Sequence, residues 1–349
     1  MILRSVAVCL LALAVSSAAA EIRLTFSTAE SPTSPSSRVF EDWAKKLSDE
    51  TKGDLRIEFF YSQALSRLGD NLKAVSRGIA DIAMVVPAYS PAQLPIAYLA
   101  ETATGTGDQY VVTRAWQQVR EEFPEIKAEE DRNNLVYLVP NSAGSVLFIG
   151  ERVYETPADF KGETMRLSTS YAYAANQAKW NVNPARILSP ETYMALEKGT
   201  ISAATTYVTQ IYPHKLNEVA KHVTLINQGQ HTSMFYMNKD RWNGLSEANR
   251  AALERSLPGL ARDLARSEIE ASHETLSRLE GDPQYPMKIH RVSKDSQEVW
   301  ADKLKLAYEY NIEKAAAVNP KASDIAVRYL QLIDEIEAEV SEKGYPWER

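Results

Sequence analysis

The chain has a single cysteine, Cys9, among 349 residues. Cys9 lies within an N-terminal apolar run, so the rest of the chain carries no thiol. That excludes a structural disulfide, a cysteine nucleophile and cysteine-ligated zinc there. A chain this long can bury a sufficient core without such staples. A basic excess is also missing. Lys and Arg number 39 against 46 Asp and Glu, a formal net charge of −7, which argues against nucleic acid as the main partner because a phosphate backbone needs a basic stripe. Catalytic signatures are lacking as well: there is no G-x-S-x-G elbow, no G-x-x-x-x-G-K-[ST] loop and no G-x-G-x-x-G. The five histidines, His214, His222, His231, His273 and His290, show no metal-ligand spacing and read as surface or structural side chains. No metal or other cofactor is implied. Long apolar runs are absent after the N-terminus.

At the N-terminus, Arg4 precedes an apolar run from Val6 to Val15 and then small residues up to Ala20. This is the layout of a secretory signal peptide, expected to span residues 1–20 with cleavage before Glu21. The run is far shorter than the ~20 residues of a spanning helix. Beyond it, apolar periodicity predicts β-α-β-α-β over the first hundred residues and hence a mostly parallel sheet. "NLVYLVP" and "SVLFIGE" then read as two strands and "GETMRLS" as another. A long helical pattern runs from Ser246 to about Glu280, interrupted by "LPG" at Pro258. "LKAVSRGIADIAMV" and "YMALEKGTISAATT" share one layout: an amphipathic helix, a glycine (Gly78, Gly199) at its end, then a buried strand. Two such units about 120 residues apart point to two similar α/β lobes, with ligands expected at the strand ends facing the cleft. Arg166 lies in a strand with Met165 on the opposite face. Its residue chemistry leaves two roles open: a salt bridge locking the strand, or a planar fork for a ligand carboxylate.

"RLTFSTAESP", "RLGDNLKAVSRGIADIAMV", "TPADFKGETMRLS", "PETYMALEKGTISAATT" and "FYMNKDRWNGLSEANRAAL" follow one another in an order that resembles the solute-binding proteins of TRAP (tripartite ATP-independent periplasmic) transporters, of the DctP type. P-x-D-F-K-G-x-x-x-R is the most specific piece. The resemblance implies a two-lobed α/β periplasmic-binding-protein fold (type II-like), with twisted mixed sheets flanked by helices and a long helix spanning both lobes. It also implies a periplasmic location, hinge closure on an organic acid, delivery to the small and large membrane permease subunits, no catalysis, and usually a monomer. The family's carboxylate-pairing arginine falls on Arg166.

Three neighbouring positions depart from the family pattern. Val146 stands where a second cleft arginine is often found, Thr206 replaces a usual asparagine, and Ser189 replaces an aromatic cover. Losing a cation points to one carboxylate and a less polar remainder. Tyr89, Tyr171, Tyr173 and Tyr207 are candidate aromatic walls, and Arg186 is a candidate replacement cation. Glu30 is a candidate acid facing the cleft from the opposite lobe, favouring an amine or hydroxyls. The lobes are expected at 21–141 plus 235–285 and at 142–234 plus 286–349. The alternatives are a ligand sensor docking to a receptor kinase and, from another class, a secreted hydrolase using Glu30 and a histidine.

Overall fold

The computed structural model describes residues 21–103 and 105–349; the expected signal peptide and Cys9 lie outside the described residues. The elements are β1 (Ile22–Ser27), α1 (Pro35–Glu50), β2 (Leu55–Phe60), α2 (Asn71–Ser76), β3 (Ile82–Val85), α3 (Gln109–Glu122), α4 (Pro124–Arg132) and β4 (Leu135–Gly150). They continue as β5 (Thr164–Arg166), α5 (Thr169–Gln177), β6 (Asn183–Ala185), α6 (Thr192–Glu197), β7 (Ala203–Thr206) and β8 (His222–Asn238). The chain closes with α7 (Lys239–Asn243), α8 (Glu247–Leu279), β9 (Lys288–Arg291), α9 (Lys294–Ala316) and α10 (Ala322–Lys343).

The strands form one hydrogen-bonded path in the order β2-β1-β3-β8-β4-β7-β5-β6, with β9 pairing β8. β1 pairs in parallel with β2 and β3, and β5 in parallel with β6 and β7. The path therefore has two α/β halves of the same build. Gly78 and Gly199, at φ +70° and +66°, each end the helical turn before the inner strand, β3 or β7. β4 and β8 join the halves as a long antiparallel pair running from Leu135↔Asn238 to Gly150↔His222.

Two expectations change here. "NLVYLVP" and "SVLFIGE" form one strand, because Asn141 and Ser142 keep pairing with Ser233 and Thr232 between them. The "LPG" segment does not interrupt α8, which runs 33 residues, about 50 Å at the helical rise. Pro258 withholds one N–H, but it sits on the exposed face, where water can satisfy the freed carbonyl.

The core explains the layering. Leu24, Phe26, Phe40, Trp43, Phe235, Leu253 and Leu264 bury one face of the first half beneath α1 and α8. The far end of α8 contributes Leu279 to a second cluster with Leu147, Ile149, Ile201 and Val223. α8 thus packs in both halves. A third cluster continues beneath both halves and includes Trp116, Phe148, Phe160, Trp300 and Tyr329.

Candidate functional site

The P-x-D-F-K-G-x-x-x-R motif positions Arg166 through local geometry. Thr156 and Asp159 form a capping box, in which the Thr156 N–H donates to Asp159 Oδ2 at 2.8 Å and opens a short 3-10 turn. Phe160 is fully buried and stacks on Trp180. Gly162, at φ +81°, then reverses the chain into β5. Met165 enters the core, so period-two alternation turns Arg166 to the opposite side.

Arg166 is 8% exposed. Its Nε donates to the Ile187 carbonyl at 2.9 Å, and Nη1 to the Thr205 carbonyl at 2.5 Å and to Thr205 Oγ1 at 3.3 Å. Nη2 donates to the Tyr89 hydroxyl at 3.3 Å. All four acceptors are neutral. Among the described residues Arg166 forms no ion pair within 4.0 Å, so its fork is held rigid while its charge stays uncompensated. The salt-bridge role left open by the sequence is thereby excluded among the described residues. Two residues beyond, Ser168 caps α5, so a helix N-terminus opens beside the guanidinium.

Arg166 lines a cavity of about 1050 Å³, its open mouth included. Residues following the carboxyl ends of four strands converge on it: Glu30 after β1, Tyr89 after β3, Ser168 after β5, and Tyr207 and Gln210 after β7. The joining strands and α8 supply the floor, with Asn141 and Val146 from β4, His231 from β8 and Glu268 from α8. Leu68, Met84 and Val86 add apolar surface.

Of the residues singled out from sequence, Arg166, Tyr207, Ser189, Val146, Glu30, Tyr89, Arg186 and Tyr171 all lie in this wall. Arg186 is exposed, which places it at the mouth. Two residues do not reach the cavity. Thr206 pairs with Leu147 and points away; alternation along β7 turns Thr205 inward instead. Tyr173 packs on Tyr310, with ring centroids 4.4 Å apart, on the far side of α5.

Sequence reasoning missed Glu101, His214, Gln210, Asn141, His231 and Glu268. His231 Nδ1 lies 3.0 Å from Glu101 Oε2, and its ring stacks on Tyr207 at 5.0 Å. Burial pushes the His214 imidazole down; Glu30 opposes that shift and Arg166 adds to it. Burial, reinforced by the nearby Glu30 charge, pushes the Glu268 carboxyl up to about 7. Burial also lifts the Tyr171 and Tyr207 phenols well above their ordinary range, so both stay neutral donors. No local motif marks Glu268 or His231; their positions follow from how α8 and β8 cross the sheet.

A profile of the bacterial extracellular solute-binding proteins, family 7, matches residues 26–315. The chain belongs to that family. The C4-dicarboxylate-binding periplasmic protein DctP of Rhodobacter capsulatus is 24% identical over 164 residues, 46% of this chain and 48% of that protein, so the match spans about half of that relative's length. The ectoine-binding periplasmic protein TeaA of Halomonas elongata is 20% identical over 304 residues, covering 85% of this chain and 81% of the relative. A TRAP solute-binding protein from Rhodoferax ferrireducens T118, solved with copurified benzoate, aligns with a TM-score of 0.78 at 18% identity, over 92% of this chain and 99% of that one. These structural likenesses establish the family-7 solute-binding fold here, two α/β halves around a cleft.

Proposed function

We propose that this protein is the periplasmic receptor of a TRAP transporter. It captures an organic acid between two lobes, closes on it and delivers it unchanged to the small and large permease subunits. The observation that carries this reading is the Arg166 guanidinium, buried in the cavity wall, immobilised by neutral acceptors and free of any counter-ion among the described residues. A carboxylate entering the cavity supplies that counter-ion with bidentate geometry. The ligands named for relatives agree with it: mandelate, benzoate and pyroglutamate are all carboxylates. Val146 in place of a second arginine favours a single carboxylate. The lobes we assign are 21–141 with 235–285 and 142–234 with 286–349, moving about the crossing of β4 and β8. The signal layout of residues 1–20 and the periplasmic relatives support export. Among the described residues no helix is long and apolar enough to cross a membrane.

Titration calorimetry tests the reading. Arg166→Lys keeps one charge but loses the fork. It is expected to weaken binding of the cognate acid by ~1.5–3 kcal/mol, the range for losing a hydrogen bond to a charged group. Unchanged affinity in a folded Arg166→Lys variant would refute it.

A further inference from the structure

The cavity that holds one buried, uncompensated cation also holds carboxylates, and these are not disposed alike. Glu101 is partnered by His231 at 3.0 Å. Glu30, 8% exposed, receives only long contacts from Gln210 Nε2, at 3.4 and 3.5 Å. Glu268, 3% exposed, accepts from Asn141 Nδ2 at 3.4 Å through Oε1, while its Oε2 has no hydrogen-bond partner within 3.5 Å among the described residues; the nearby Thr209 hydroxyl, itself unpartnered, offers it a single neutral donor. Neither Glu30 nor Glu268 forms an ion pair within 4.0 Å among the described residues.

A second, independent feature marks the same wall. Asn141 and Tyr171 are both more than nine-tenths buried and line the cavity. The Asn141 Oδ1 and the Tyr171 hydroxyl likewise lack partners. Buried acceptors without donors are uncommon in folded proteins, because each forfeits its hydration without recovering a hydrogen bond. Asn141 Oδ1 accepts only, and so does Glu268 Oε2 when the carboxyl is ionised, so in that state both lack a charged donor.

We propose that Glu30 and Glu268, with the Asn141 carbonyl oxygen, form a second subsite for a cationic, N–H-bearing group, so that the ligand is a zwitterion with its carboxylate on Arg166. This rests on the carboxylate reading above and narrows it. A dicarboxylate would set its second anionic group among acids, where like charge and low dielectric both oppose it. A plain monocarboxylate would leave Glu30 and Glu268 to be neutralised only by taking up protons, on Glu268 itself or on the nearby His214. An ammonium or amidinium supplies both the charge and the donors. The two subsites belong to different walls: Glu30 follows β1 and Glu268 lies on α8, whereas Arg166 ends β5. The cationic group is therefore separated from the carboxylate along the ligand.

A matched-probe thermal-shift panel, followed by calorimetry, tests this on the secreted chain. Each probe set has an acid, its amino acid and the corresponding amine: pentanoate, 5-aminopentanoate and pentylamine; 4-methylbenzoate, 4-(aminomethyl)benzoate and 4-methylbenzylamine; ectoine is added as an amidinium. Zwitterions are expected to raise the melting temperature and to bind at least tenfold tighter than their deaminated partners. Glu30→Gln and Glu268→Gln should each erase that advantage while leaving the plain acid as tight or tighter. Two separate isosteric variants guard against a folding defect in either. Plain acids binding as tightly as their amino partners, a panel in which no zwitterion stabilises the protein, or zwitterion affinity unchanged in both Gln variants would each overturn the zwitterion assignment. The first and third of these leave the Arg166 reading intact. Amines binding as tightly as zwitterions would instead overturn the carboxylate reading and this inference with it.

Discussion

Glu268 and Glu129 show how two buried acids with similarly raised pKa values can contribute in opposite ways. Both are pushed up to about 7 by burial, from an ordinary 4.5. A raised carboxyl pKa means that the folded state holds its proton more tightly than the unfolded one. Stability therefore falls as pH rises from about 4.5 towards 7, and the full penalty persists above 7. Glu268→Gln removes that penalty where the carboxylate has little to hold it. The ligand-free variant is expected to gain up to about 3 kcal/mol over the parent at pH 8 and almost nothing at pH 4.5, measured by urea unfolding. Glu129 differs because its two oxygens accept the Ile96 and Ala97 N–H groups at 2.9 and 2.8 Å. A Gln sets its NH2 donor against one of these two N–H groups, so Glu129→Gln is expected to lose about 1–3 kcal/mol at neutral pH. At this scale the sequence was legible where a motif carried the geometry. The P-x-D-F-K-G-x-x-x-R motif announced Arg166, whereas Thr206 lies one residue away from the inward Thr205, and a single step along a strand changes the face. Glu268 looked like any acid on a charged helix, because its surroundings are assembled from residues far away in sequence.

At the scale of elements, the joining pair β4 and β8 carries the irregularities. Its register shifts between Tyr137 and Val139, between Ser142 and Gly144 and again on both sides of Val146, leaving Leu138, Ala143, Ile226, Asn227 and Gly229 without ladder partners. Gly229 sits at φ +63°, and a Cβ there would stand 2.8 Å from the Ala103 carbonyl. Gly229→Ala is therefore expected to destabilise by about 1–3 kcal/mol, the cost of a strained backbone conformation, as read from thermal unfolding. Gly259 in α8 has open space around its Cβ position and no positive φ. Gly259→Ala is expected to stabilise by up to about 1 kcal/mol in the same assay. These elements were only partly readable from sequence. Short runs with strong alternation stood out, but the β4 crossing looked like a break, because "NSAG" carries turn residues. Those residues serve bulges within continuous strands rather than loops between them.

On the scale of the whole molecule, the two halves touch across the mouth at a few points. The Tyr89 hydroxyl accepts from Arg166 and from the Ser189 N–H, both at 3.3 Å, and Gln210 reaches Glu30. Arg67 and Glu191 meet at 3.6 Å on the rim, exposed enough to contribute little. Tyr89→Phe removes two of these contacts without disturbing either half. Small-angle scattering of the ligand-free variant is expected to give a larger radius of gyration than the parent at an unchanged melting temperature. An identical radius would show that the hydroxyl does not bias closure. The two-lobed plan was visible in sequence because each lobe repeats a helix-glycine-strand unit. The wall chemistry was less visible because every lobe contributes only a fragment of it.

The long ladder between β4 and β8, interrupted only at its bulges, has a consequence for deuterium uptake. Backbone amides along both strands should resist isotope exchange whether or not the mouth is shut, since bending the pair does not require separating it. The unpaired bulge residues would then be the fast-exchanging islands in an otherwise silent ribbon, and their rates would report the flexing of the joint directly.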